Sequence, residues 1–268
     1  MKTGFKGTKG FSLIELLVVI SITGALMGIL LPALARARAL AKQVVCQSRL
    51  RQWGLAFEVY AIENNGYYPH IDGRDRQGDS KPWREIDLAD WYYGWIDVLP
   101  PLMGAKPWRD YGAFQHPGPD TIYQCPIAKL RSNQKKLMRN GYFSYAMNSC
   151  LELDKNCVPP HDKPDGDNMP SFLQTAKIVK PSQTILLFEQ LLQPEKGYGG
   201  TDEVSTAGQH CGSYPKAFSA RHRKPGGVLG GSILFCDYHI EWRSTVWRDE
   251  WPEGLEAPFR NDLDWFPY

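Results

Sequence analysis

A single carboxylate stands inside the most apolar part of the chain. Residues 10–34 read GFSLIELLVVISITGALMGILLPAL, and after Phe11 the only charged member is Glu15. At roughly 1.5 Å per residue such a run makes a helix about 33 Å long, enough to cross a hydrocarbon layer of roughly 30 Å. A charged carboxylate costs about 2.5–3.5 kcal/mol at the centre of that layer and less near its edge. A simple anchor has no use for such a penalty, so Glu15 calls for a partner.

Other residues could bind ions. Asp237 and His239 alternate in what reads as a strand, which sends both side chains to one face. With His222, and with His210 or Cys211 as further members, they are candidate ligands for a transition metal; imidazole and carboxylate suit zinc. The blander reading weighs more: a hydrogen-bonded Asp–His cluster that ties the loop containing Gly226, Gly227, Gly230 and Gly231 to a sheet. Asp165 and Asp167, with Asn168, offer clustered oxygens of the kind calcium takes, and Asn261, Asp262 and Asp264 form a second group. A plain acidic turn is the favoured reading of both. Glu189 closes an apolar run with no identifiable partner. There is no G-x-S-x-G elbow, P-loop, dinucleotide fingerprint or H-E-x-x-H, so no catalytic residue is assigned.

Six cysteines admit 15 disulfide connectivities. Cys150 with Cys157, and Cys211 with Cys236, are candidate pairs, while Cys46 lies on a helix and is expected to stay free. No paired C-x-x-C spacing occurs, which argues against a structural zinc site. A net charge of +2 with 22% charged residues gives no electrostatic case for nucleic acid.

The elements that must position these groups begin with the helix. Pro32 lacks an N–H and is expected to kink or open it. Gly24 and Gly28 form a small-xxx-small pair that lets another helix approach closely. Beyond residue 35 the periodicity stays helical, with Ala37, Ala41, Val44, Val45, Trp53, Ala56, Tyr60 and Ile62 on an apolar stripe. Arg36, Arg38, Lys42, Arg49 and Arg51 read as a solvated face beside anionic headgroups. Asn64-Asn65-Gly66 stops the helix, glycine suiting a left-handed cap. The remainder is rich in Gly and Pro and reads as a loop-rich head, with strands at 184–188 and 232–242 and a short one at 245–247. The cluster Trp91-Tyr92-Tyr93-Gly94-Trp95 is read as core, with a sugar-stacking platform as the alternative. Together these predict an α+β fold in which a long N-terminal helix packs on an antiparallel sheet.

The run Gly10-Phe11-Ser12-Leu13-Ile14-Glu15, followed by unbroken apolar residues, resembles the prepilin signature of type IV pilins and of type II secretion pseudopilins. The resemblance implies cleavage between Gly10 and Phe11 by a membrane prepilin peptidase, and N-methylation of Phe11. It also implies that Glu15 meets the N-terminal amine of a neighbouring subunit, and that Pro32 marks a region remodelled on assembly. A second series is similar to a pilin-like family, common in planctomycetes, named for a histidine followed some residues later by Asp-Gly. It comprises Cys125-Pro126, Tyr145-Ala146-Met147-Asn148, Lys180-Pro181-Ser182 and the late stretch Phe235-Cys236-Asp237-Tyr238-His239. Tyr238 stands where that family has glycine, and the interval from His222 to Asp237 is longer than usual.

The resemblance therefore implies a leader at 1–10, a helix at 11–64 (11–34 transmembrane, 35–64 amphipathic) and a head at 65–268. It implies one pass through the inner membrane, a cytoplasmic N-terminus and a periplasmic or surface head. The implied partners are the peptidase, identical or related subunits, and an assembly platform. Calcium in the head of several major pseudopilins adds weight to the acidic clusters. Two rivals remain. A secretory signal peptide cleaved at Ala33-Leu34-Ala35 or Ala35-Arg36-Ala37 would have a shorter apolar core, of about 7–15 residues. A membrane-tethered carbohydrate-binding module would use the motif only as an address. Gly10→Ala is expected to slow or prevent processing, read as retention of the leader in the intact mass; full processing of that variant would point to a different protease.

Overall fold

The computed structural model describes residues 12–69, 94–111, 121–127, 143–148, 151, 174–189, 211–212, 218, 222–223 and 227–244. The chain falls into two compact units, Met1–Ala41 and Lys42–Tyr268. Gly10, Phe11, Cys150, Cys157, Asp165 and Asp167 lie outside the described residues, as do His210 and the acidic group at 261–264.

Helix α1 spans Leu13–Glu63 and runs through Pro32 without a break, so the expected opening there is not seen. Ser12 starts it. Its hydroxyl accepts from the Ile14 N–H at 3.2 Å, while its own N–H donates to Glu15 Oε2 at 2.9 Å. This reciprocal cap satisfies N–H groups that the first turn leaves orphaned. At the other end Asn65 (φ 56°) and Gly66 (φ 82°) turn left-handed, and the Gly66 N–H returns to the Ala61 carbonyl at 2.7 Å.

The two halves of α1 differ in what they touch. From Leu13 to Leu34 the large apolar side chains stand exposed. From Gln43 onward one face is buried, carrying Cys46, Leu50, Trp53, Gly54, Ala56, Phe57 and Ala61. The predicted stripe is thus corrected: Val44 (63% exposed) and Ile62 (75% exposed) face away. The core took the face carrying Trp53 and Phe57, whose aromatic rings bury more area each.

That face meets an open sheet. Its strands are β1 (Tyr145–Asn148), β2 (Ile185–Glu189), β3 (Cys211–Gly212), β4 (His222–Arg223), β5 (Leu229–Phe235) and β6 (Ile240–Ser244). Pairing is antiparallel except between β1 and β3. Strand β6 occupies one edge of β5 from Gly230 to Leu234. A strand has only two edges, so β2, opposite residues 233–235, and β4, opposite residues 229–230, lie end to end along the other.

The expected strand at 232–242 is instead a hairpin. The Asp237 carboxylate accepts the His239 N–H at 3.1 Å, and the Tyr238 N–H donates to the Phe235 carbonyl at 2.9 Å. A side chain that bonds backbone two residues on makes a turn, which overrides the β-propensity of the flanks. Tyr238, which stands where the resembled family has glycine, has φ 68°, in the left-handed region that favours glycine.

Trp53 lies edge-on to Trp95 at 4.8 Å between ring centroids, and Trp108 packs on Phe143 at 4.3 Å. Trp95 is 1% exposed and belongs to the core, which leaves it no face for sugar. The candidate disulfide between Cys211 and Cys236 is not formed, since Cys236 is a buried free thiol. Three strand steps separate β3 from β5, through Met147, Leu187 and Leu234. At about 4.8 Å per step that is far beyond disulfide reach. Gly230 is required by packing: a Cβ there would strike the Arg243 carbonyl and come within 2.5 Å of the Trp242 ring. Gly230→Ala is expected to cost about 1–3 kcal/mol, measured as a lowered denaturation midpoint; an unchanged midpoint would refute the close approach.

Candidate functional site

Sheet register builds one site in the head. Phe188 pairs with Ile233, which carried one residue further sets Glu189 opposite Ser232, while His222 pairs with Gly230. Positions 230 and 232 share a face, so Glu189 and His222 do too. Tyr145, directly across from Glu189 on β1, sends its hydroxyl to the Cys46 carbonyl at 3.5 Å, which identifies this as the face toward α1.

From above comes the helix, with Cys46 on its buried side. From the flank comes Cys125, in the turn at 121–127. That turn is held to α1 by two bonds: the Trp53 indole N–H donates to the Ile122 carbonyl at 3.1 Å, and the Arg49 guanidinium donates to the Gln124 carbonyl. Arg49, expected to be one of the solvated cations, is thus a tether between helix and loop.

Four groups converge. The Cys46 and Cys125 sulfurs, a Glu189 carboxylate oxygen and a His222 ring nitrogen all lie within 4.8 Å of one another. His222 Nε2 is 3.0 Å from Glu189 Oε1 and 3.5 Å from Cys125 Sγ. All four residues are fully buried. Burial opposes a charge on His222, but hydrogen bonds to Cys125 and Glu189 and the Glu189 charge outweigh it and raise its pKa to about 9. A hydrogen bond to Cys125, and then burial, push the Cys46 thiol well above its ordinary value. Without a bound cation the cluster is therefore an imidazolium–carboxylate pair beside the neutral Cys46 thiol.

The arrangement revises the sequence-based metal set. Asp237 and His239 leave the sheet in the hairpin turn, with His239 Nδ1 2.5 Å from Asp237 Oδ1 and its ring stacked 4.3 Å from that of Phe235. Asp237 and His239 bond each other within the hairpin turn, while His222 belongs to a different constellation. Glu189, which had no visible partner in sequence, has His222. Cys46 and Cys125 were missed as site residues because they are 79 positions apart (125 − 46) and meet only through the fold.

The second candidate site is the start of α1. Glu15 holds the Ser12 N–H, so its carboxylate already has one local partner. Cβ atoms built on Gly24 and Gly28 would meet open space among the described residues. The helix is long and apolar enough to cross a membrane, and none of its most apolar window is buried.

Residues 5–31 match the family described as the prokaryotic N-terminal methylation motif. The chain is also similar to the type IV wide pilus major component PilA4 of Thermus thermophilus, with 42% identity over 62 residues. Those residues are 23% of this chain and 47% of the relative, so the match spans about half of the relative's length. No solved structure matches the chain significantly. His222→Ala is expected to destabilise the head by about 3–5 kcal/mol by stranding a buried carboxylate; a denaturant midpoint within error of the parent chain would show that the pair is not formed.

Proposed function

Starting from a chain that is type IV pilin-like in its N-terminal segment and in its α+β architecture, we propose that it is a structural subunit of a pilus or secretion filament. Its leader is cut between Gly10 and Phe11 by prepilin peptidase, and Phe11 is N-methylated. The mature chain then spans the inner membrane once, with its N-terminus cytoplasmic and its head periplasmic. An assembly platform draws it out of the bilayer into a filament of identical or related copies.

The observation that carries this reading is the unburied half of α1. Large apolar side chains from Leu13 to Leu34 lie exposed, and at about 1.5–3 kcal/mol for each one buried, leaving them in water is prohibitive. Lipid covers them first. In a filament the same segments cover one another, and Gly24 and Gly28 permit close approach of the backbones. The mechanism is a transfer of apolar surface from lipid to neighbouring helices, with Glu15 choosing the register by meeting the N-terminal amine of another copy.

The local cap makes this role for Glu15 testable. Glutamine serves as well as glutamate at the third position of a capping box, but carries no charge. Glu15→Ala and Glu15→Gln are both expected to be processed normally, and both to lower filament yield roughly tenfold or more, as loss of about 1.4 kcal/mol per contact would. Yield is read by quantitative blot of sheared filaments. Wild-type yield from Glu15→Gln would mean that Glu15 serves only to cap its own helix.

A further inference from the structure

We infer that Cys46, Cys125, Glu189 and His222 form a closed, structural zinc site that clamps α1 to the sheet of the head. The site lies in the unit Lys42–Tyr268 and stands whether or not the chain builds a filament.

Donor chemistry comes first. Two thiols, an imidazole and a carboxylate are the ligand types zinc takes, and the sulfurs favour it over magnesium or calcium. Four protein ligands with no exposed surface leave no position for water or substrate, which is the pattern of a structural centre rather than a catalytic one.

Geometry agrees. A tetrahedral zinc with bonds of about 2.3 Å to sulfur and about 2.0–2.1 Å to nitrogen holds an S···N pair roughly 3.6 Å apart. Cys125 Sγ and His222 Nε2 are 3.5 Å apart. The shorter Nε2···Oε1 contact of 3.0 Å has to widen by only about 0.4 Å to fit the same tetrahedron. On binding, the two thiols and the imidazolium give up their protons, and the metal replaces the proton now shared between His222 and Glu189.

The ligands come from four separate places: the middle of α1, the turn at 121–127, the end of β2, and β4. One ion would thus close loops of tens of residues and couple metal binding to folding of the head. Cys46 and Cys125 are free thiols and not a disulfide, so both sulfurs are available to a metal.

The test uses the full chain in detergent, stripped with chelator under reducing conditions and titrated with cobalt(II). One equivalent should bind, with tetrahedral d–d bands and a thiolate-to-cobalt charge-transfer band, and one equivalent of zinc should displace it. Zinc should raise the melting temperature by roughly 5–10 °C at a hundredfold excess over its dissociation constant. Cys125→Ser, if folded by circular dichroism, should lose about half of the charge-transfer intensity, whereas His239→Ala should change nothing. In case Cys125→Ser fails to fold, the cobalt spectrum and zinc-dependent melting of the parent chain decide alone. Folded parent protein without a charge-transfer band would overturn the site. So would cobalt binding that vanishes in His239→Ala, or a Cys46–Cys125 disulfide in protein alkylated in its native membrane.

Discussion

One helix is satisfied by its own chain over only part of its length, and the other features follow from that asymmetry. From Cys46 to Ala61 its buried face is filled by Leu234, Leu187, Tyr145 and the aromatic cluster around Trp53. From Leu13 to Leu34 its large apolar side chains stand exposed among the described residues. At about 25 cal/mol per Å² of apolar surface, roughly 30 Å of bare leucine and isoleucine turns calls for a cover that the described residues do not supply.

The head is arranged to hold its half firmly. Strand β5 is the organiser: β6 takes one of its edges, and β2 and β4 share the other, which brings Glu189 and His222 together beneath Cys46. Bonds from Arg49 and Trp53 pull the turn carrying Cys125 against the helix. Hydrophobic packing is non-directional, whereas these polar contacts are directional and hold the rotation of the face that aromatic burial favours.

What could be read from sequence was local. The glycine, aromatic, serine, glutamate and apolar run lie within a few residues of one another, and the left-handed Gly66 follows directly from its place after the helix. The hairpin was missed because Ile233 to Trp242 contains no glycine, and the turn depends on Asp237 bonding the His239 backbone while Tyr238 adopts a conformation usually left to glycine. The buried cluster was missed for a deeper reason. Cys46, Cys125, Glu189 and His222 obey no spacing rule, since the register of β2 and β4 on β5 brings them together. Asp237 and His239 misled because alternation in sequence was taken for alternation on a strand.

The proposed role requires that the apolar half of the helix survive in the working molecule. Intact mass and N-terminal sequencing of the protein from its native membrane measure this directly. The expected result is a chain that starts at Phe11 with a methylated amine and keeps Glu15 and everything after it. A chain that starts at Met1, or at Arg36 with the apolar run removed, would contradict it.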